Sequence, residues 1–180
     1  MVICRNTTEA LNHLAYRLRL APDGVIVAEH HANLLPWSRA ATRRHVECGT
    51  DGTFTAADVE AALDQRPSPR LLAITGASNI TGWMPPLEPI ITAAHDCGIP
   101  VAVDAAQLAP HRPLPAGADF LAWSGHKMYA PFGAGILVGP RRAFADGDPF
   151  LAGGGAVDLV DLDEVLWAAP PNGKRPARPT

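Results

Sequence analysis

Val101-Ala102-Val103-Asp104-Ala105-Ala106-Gln107 is the stretch from which the fold can be read. Three apolar residues run without a polar break, the pattern of a strand covered on both faces in a parallel sheet. An acid closes the run. Upstream, Pro85 and Pro86 open a helix that carries Leu87, Ile90, Ile91 and Ala94 on one face, and Gly98 is placed to end it. Further upstream lies a second run, Leu71-Leu72-Ala73-Ile74. Downstream lies a third, Phe120-Leu121-Ala122-Trp123.

The same alternation continues outward. Val25-Ile26-Val27-Ala28 reads as another strand, and Gly135-Ile136-Leu137-Val138 as a fifth whose direction the pattern leaves open. Leu11, Leu14, Ala15 and Leu18 recur at helical spacing behind Asn6 and Glu9, which are spaced as a capping box. Thr55 can cap a helix bearing Val59, Ala62 and Leu63. Val2-Ile3-Cys4 reads as a strand with nothing before it to cover the sheet edge. The order β-α-β-α-β predicts an α/β fold with a mainly parallel sheet flanked by helices. No internal repeat interrupts it.

Composition sets the boundaries. A chain of 180 residues with 47% apolar residues can bury a core. The net charge of −3 argues against a nucleic-acid binder, which would carry a basic face. No apolar run reaches the roughly 18 residues of a membrane span, and the start lacks the pattern of a signal peptide. Three scattered cysteines, Cys4, Cys48 and Cys97, fit neither a disulfide framework nor a zinc site, so a reducing cytoplasm is expected. The stretch after Trp167 holds four prolines, three basic residues and no apolar periodicity. We therefore expect a folded region over residues 1–167 and a disordered or aberrant tail over 168–180.

In open α/β sheets, ligands sit beyond the carboxyl ends of the strands. Polar residues gather there in this chain: Glu29-His30-His31-Ala32-Asn33, Thr75-Gly76-Ala77-Ser78-Asn79, Asp104-Ala105-Ala106-Gln107 and Ser124-Gly125-His126-Lys127. Lys127 can attack a carbonyl and form a Schiff base if its pocket is partly dry; alone it reads equally as a surface lysine in a loop. Asp104 can keep a pyridinium nitrogen protonated, or simply cap the turn that follows. Gln107 could donate to a phenolate. Thr7 and Thr8 at a helix start can bind an anion, though capping explains them as well, and Ser124 and His126 could add phosphate donors. His30 or His31 could lie over a planar cofactor or act as an ordinary core or capping histidine. A metal module built on the two histidines lacks a third ligand at suitable spacing, with His45 beyond a predicted helix. The acidic run Asp158, Asp161, Asp163 and Glu164 reads as a solvated surface. Gly153-Gly154-Gly155 reads as a flexible turn, and the four tryptophans as packing residues.

Taken in order, Glu29-His30-His31-Ala32-Asn33-Leu34-Leu35-Pro36-Trp37, Ser78-Asn79-Ile80-Thr81-Gly82, Val103-Asp104-Ala105-Ala106-Gln107 and Ser124-Gly125-His126-Lys127-Met128-Tyr129-Ala130-Pro131 resemble the class V aminotransferases. Within them, the cysteine desulfurase and selenocysteine lyase group is most similar. The resemblance runs from about Val2 to Gly155. It implies pyridoxal 5′-phosphate as cofactor and the large domain of the type I fold of enzymes that use it. It implies a small amino-acid substrate and a homodimer, with no metal.

Position by position, the resemblance implies Lys127 as the Schiff-base lysine and Asp104 as partner of the pyridine nitrogen. Gln107 would meet the ring oxygen, and His30 would stack on the ring and handle a proton. Thr8, Ser124 and His126 would hold the phosphate, and Asn79 would lie near the cofactor and the substrate carboxylate. Family members are roughly twice as long, so a partial large domain is expected. The segment that supplies the substrate-gripping arginine and, in desulfurases, the nucleophilic cysteine is not in this sequence. Gly76 stands where desulfurases usually carry a histidine, which leaves desulfuration, transamination, elimination and epimerisation open. The tail reads as a shifted frame or a truncated product. The alternative expectation is an inactive remnant, or a partner subunit of a full-length paralogue.

Overall fold

The buried strand β4 (Leu71–Thr75) lies inside a seven-stranded sheet and has all five of its residues buried. The structure is a computed structural model that describes residues 1–20, 24–27, 31–145, 147–153 and 155–168, with backbone alone for 26, 27, 31 and 32. The sheet runs β1-β7-β6-β5-β4-β2-β3. Its strands are β1 (Val2–Cys4), β2 (Val25–Val27), β3 (Arg43–His45), β4, β5 (Val101–Asp104), β6 (Phe120–Ser124) and β7 (Gly135–Val138). The five strands from β3 to β6 are mutually parallel, as the apolar runs predict for β2, β4, β5 and β6. The direction that the sequence left open is settled: β7 is antiparallel to both β6 and β1. The sequence did not predict β3, a short edge strand of Arg-Arg-His with no apolar signal.

Alternation along the strands assigns the two faces. Leu72 and Ile74 of β4 and Val101 and Val103 of β5 pack with Val59, Leu63, Ile90, Ile91 and Ala94 in one buried cluster. These partners come from α3 (Ala56–Leu63) and α4 (Leu87–Asp96), so both helices cover that face. Each fully buried Leu or Ile contributes about 1.5–3 kcal/mol. Thr55 and Asp58 cap α3 reciprocally, the Thr55 hydroxyl accepting from the Asp58 amide and the Asp58 carboxylate from the Thr55 amide. Gly98, at φ +71°, ends α4 as predicted: its amide donates to His95 O, and the Ile99 amide to Ala94 O.

The odd-even rule puts Thr75, Asp104 and Ser124 on the opposite face, all at carboxyl ends. Helix α1 (Thr7–Leu18) lies against β6 and β7 and turns Ala10, Leu11, Leu14 and Ala15 inward. Its predicted capping box is only half formed. Asn6 Oδ1 accepts from the Glu9 amide at 2.9 Å, but the Glu9 carboxylate turns to Arg5, accepting from the Arg5 amide at 2.6 Å and Nε at 2.9 Å. A charge-assisted bond outcompetes the neutral amide of Asn6.

The described residues up to 139 form one compact unit and those from 140 to 168 belong to a second. The second contains an antiparallel hairpin, β8 (Val157–Val160) and β9 (Val165–Trp167), which the sequence reading did not foresee. The exposed acids Asp161, Asp163 and Glu164 form its turn and the entry to β9, where the Asp161 amide donates to Glu164 O at 2.9 Å.

Candidate functional site

Three parallel strands end side by side. Thr75 and Asp104 are register partners, and Asp104 pairs with Ala122, two residues before Ser124. Asp104 is buried, with 3% of its surface exposed, and its Oδ1 accepts from the Ala106 amide at 3.0 Å. That bond turns the chain after β5 and fixes the carboxylate. The Asp104 carbonyl accepts from the Gly76 amide at 2.8 Å, so the β4 and β5 exits are tied together.

Ser124 closes β6 and meets the start of α1. The Thr7 amide donates to Ser124 Oγ at 2.8 Å, and the two hydroxyls lie 2.7 Å apart, all buried. The proton count is informative. If Thr7 Oγ1 also donates to Ser124 Oγ, both lone pairs of the serine are filled and its own proton is left to donate outward. Next to this clasp, β7 presses on the entry to α1: a Cβ on Gly135 would fall 2.5 Å from the Asn6 nitrogen. Glycine is the residue that permits that approach.

After Ser124 the chain makes one 3-10 turn, Gly125–Met128, which carries His126 and Lys127, both partly buried. Tyr129 ends the turn at φ 63°. The His126 ring stacks on Phe132 at 4.8 Å and 26°, and its Nδ1 is buried without a hydrogen-bond partner among the described residues. A buried polar atom left unpaired costs about 1–3 kcal/mol, so it marks a place that a ligand can satisfy. Fixed carboxylate, serine hydroxyl, orphaned imidazole nitrogen and nearby amine are donor and acceptor types that fit a phosphorylated pyridine aldehyde.

The other predicted residues divide. Thr8 is exposed on the first turn of α1, next to the clasp that Thr7 makes. Gln107 is partly buried and Asn79 exposed, and both line one cleft beyond β4 and β5. His30 and Glu29 lie outside the described residues; His31 begins α2 (His31–Leu34). Asn33 is turned inward rather than onto the rim. Fully buried, it accepts from Nε1 of the buried Trp37 at 3.2 Å, while its Nδ2 has no partner among the described residues.

Sequence reasoning missed the buried role of Thr7, and it missed the exposed His111 and Arg112 that line the cleft. Thr7 falls on the same helical stripe as Leu11 and Leu14, which was the available signal. His111 stands four residues after Gln107, in the same cleft.

Comparison with known proteins identifies the family and the fold. The family model for aminotransferase class-V matches residues 1–175, and the chain belongs to that family. The family, which includes the cysteine desulfurases, is dependent on pyridoxal phosphate, and the fold is a partial type I large domain. A cysteine desulfurase of Dickeya dadantii is 38% identical over 186 residues, covering 95% of this chain and 45% of the relative. The solved cysteine desulfurase CsdA of Escherichia coli superposes with a TM-score of 0.82 at 38% identity, over 94% of this chain and 46% of that one. An apo cysteine desulfurase from Thermococcus onnurineus gives 0.81 at 33% identity, with 94% and 45% covered. The chain thus spans less than half the length of the relatives it matches.

Proposed function

We propose that this chain is the cofactor-binding part of a pyridoxal-phosphate enzyme acting on an amino acid, with Lys127 as the amine that bonds the cofactor's aldehyde carbon. The observation that carries the reading is the convergence of Asp104, at the end of β5, with Ser124, His126 and Lys127, at and after the end of β6. Asp104 would hold a proton on the ring nitrogen. Ser124 and His126 would donate to the phosphate, joined by Thr8, and Gln107 would meet the ring oxygen. Asn79 would lie toward the substrate carboxylate, and His30 would cover the ring.

Bound there, the cofactor supplies an electron sink when a bond to the substrate's Cα breaks. Lys127 Nζ would accept the proton from the substrate's Cα and return it. The reading includes the homodimer implied by the family resemblance. It also includes a reducing cytoplasm, the expectation drawn from the three scattered cysteines Cys4, Cys48 and Cys97.

The test is an absorbance spectrum of the chain with added pyridoxal phosphate, before and after borohydride, beside Lys127→Ala. The expected result is a band near ~420 nm that reduction traps and the variant lacks. A folded protein with no such band overturns the reading.

A further inference from the structure

Gly76 at the exit of β4 makes room for a second feature. A Cβ there would lie 3.0 Å from Leu108 Cδ2 and 3.2 Å from Asp104 O, so the space is taken by Leu108, which is itself buried. The carbonyl of Leu108 then accepts from the amides of both His111 and Arg112 at 2.9 Å. This turn brings both side chains to a cleft of about 470 Å³, whose other walls include Ser78, Asn79, Met84 and Gln107.

Among the described residues, the lining holds no carboxylate. Arg112 is exposed, and its guanidinium has no hydrogen bond or ion pair among the described residues. A guanidinium fork, an imidazole and two carboxamides, with no acid among them, form a donor set matched to an anion. Met84 adds an apolar wall for a short methylene chain. Asn79 and Gln107 are also in the constellation proposed to face the cofactor and substrate, so the cleft adjoins the place where an amino acid would react.

We propose that this cleft is a subsite for a carboxylate on the substrate's side chain, anchored by Arg112 with His111 as second donor. It rests on the amino-acid chemistry proposed at Lys127 and narrows the substrate class to acidic amino acids. Arg112 and His111 together read a planar carboxylate, and a neutral amide of the same shape would leave the guanidinium without its anion.

The test follows the imidazole resonances of the full 180-residue chain, without cofactor, as L-aspartate, L-asparagine or inorganic phosphate is added. The His111→Gln spectrum assigns the reporting signal. The expected result is saturable movement of the His111 signal with aspartate, at an affinity about tenfold or more above asparagine. Arg112→Gln should remove that difference, and Arg112→Lys should restore part of it. Equal response to aspartate and asparagine overturns the subsite, as does an unchanged preference in Arg112→Gln. Saturation by phosphate with no aspartate preference also overturns it. The two proposals fail separately. An absent cofactor band with aspartate still preferred removes the function and leaves a carboxylate site. A cofactor band without the preference removes the subsite alone.

Discussion

Ser124 and Thr7 stand 117 residues apart in sequence and share two buried hydrogen bonds, amide to hydroxyl at 2.8 Å and hydroxyl to hydroxyl at 2.7 Å. The clasp holds the start of α1 against the end of β6, beside the turn that carries Lys127. Ser124→Ala removes both bonds, whereas Thr7→Val removes the hydroxyl bond alone. Ser124→Ala leaves the buried Thr7 amide unpaired and should cost about 1–3 kcal/mol. Thr7→Val keeps the amide bond and should cost about 1 kcal/mol or less beyond any repacking. Urea denaturation of both variants checks the order. Equal losses would mean that the amide bond contributes nothing.

Gly135→Ala tests the other contact at the same junction. The added carbon would sit 2.5 Å from the Asn6 nitrogen and 2.6 Å from its Cα, both backbone atoms that no rotamer change can move aside. Either β7 or the entry to α1 must shift. We expect a loss of about 1–3 kcal/mol, the usual range for overpacking. The same shift should weaken pyridoxal-phosphate binding, because Ser124 pairs with Gly135 across the sheet. Thermal unfolding and a cofactor titration of the variant would both register it.

These contacts explain which parts of the architecture could be read from the sequence. The parallel strands were legible because runs such as Leu71–Ile74 and Val101–Val103 lie buried on both faces, and burial imposes an unbroken apolar pattern. The ends of α3 and α4 were legible because Thr55 and Gly98 act locally. Edge strand β3 was not, because Arg43, Arg44 and His45 carry no apolar signal and pair on one side only. The hairpin β8–β9 escaped for a related reason: Leu159, Val160, Leu162, Val165 and Leu166 are exposed, interleaved with acids that read as solvated surface. At the candidate site, strand ends located Asp104, Ser124 and Lys127. Thr7, Asn33 and Arg112 are set by long-range closure or by a turn around Leu108, which single-strand patterns do not encode.

Acid should destabilise the fold partly through His13. Burial, followed by the nearby Arg17 cation, lowers its pKa from 6.5 to about 4, against an opposing pull from Glu9. A depressed folded pKa means that the unfolded chain binds the proton more readily between those values. Stability from this residue is therefore present above pH 6.5, falls as pH drops toward 4, and is gone below that. Because the ring is partly solvated, the loss is discounted to about 1–2 kcal/mol. His13→Gln cannot take up the proton. Urea midpoints measured from pH 7.5 to 4 should fall less steeply in this variant than in the parent chain. Parallel curves would show that His13 does not titrate on unfolding.

Cys4 and Cys97 should react with thiol reagents at very different rates. Cys4 is buried at the end of β1, and burial, with the Glu9 carboxylate as a second cause, pushes its thiol up to about 11. Near pH 8 almost none of it is thiolate, and thiolate is the reactive form. Cys97 caps the end of α4 on the surface. Maleimide labelling read by peptide mass spectrometry should modify Cys97 within the first time points and Cys4 only as fast as the chain unfolds. This bears on the chemistry, because a sulfur-accepting cysteine must be an accessible thiolate. Cys4 lies closest in sequence to the Thr7 clasp yet lacks both properties. Rapid labelling of Cys4 in the folded chain would overturn this assignment and reopen the residue as a nucleophile near the proposed cofactor site.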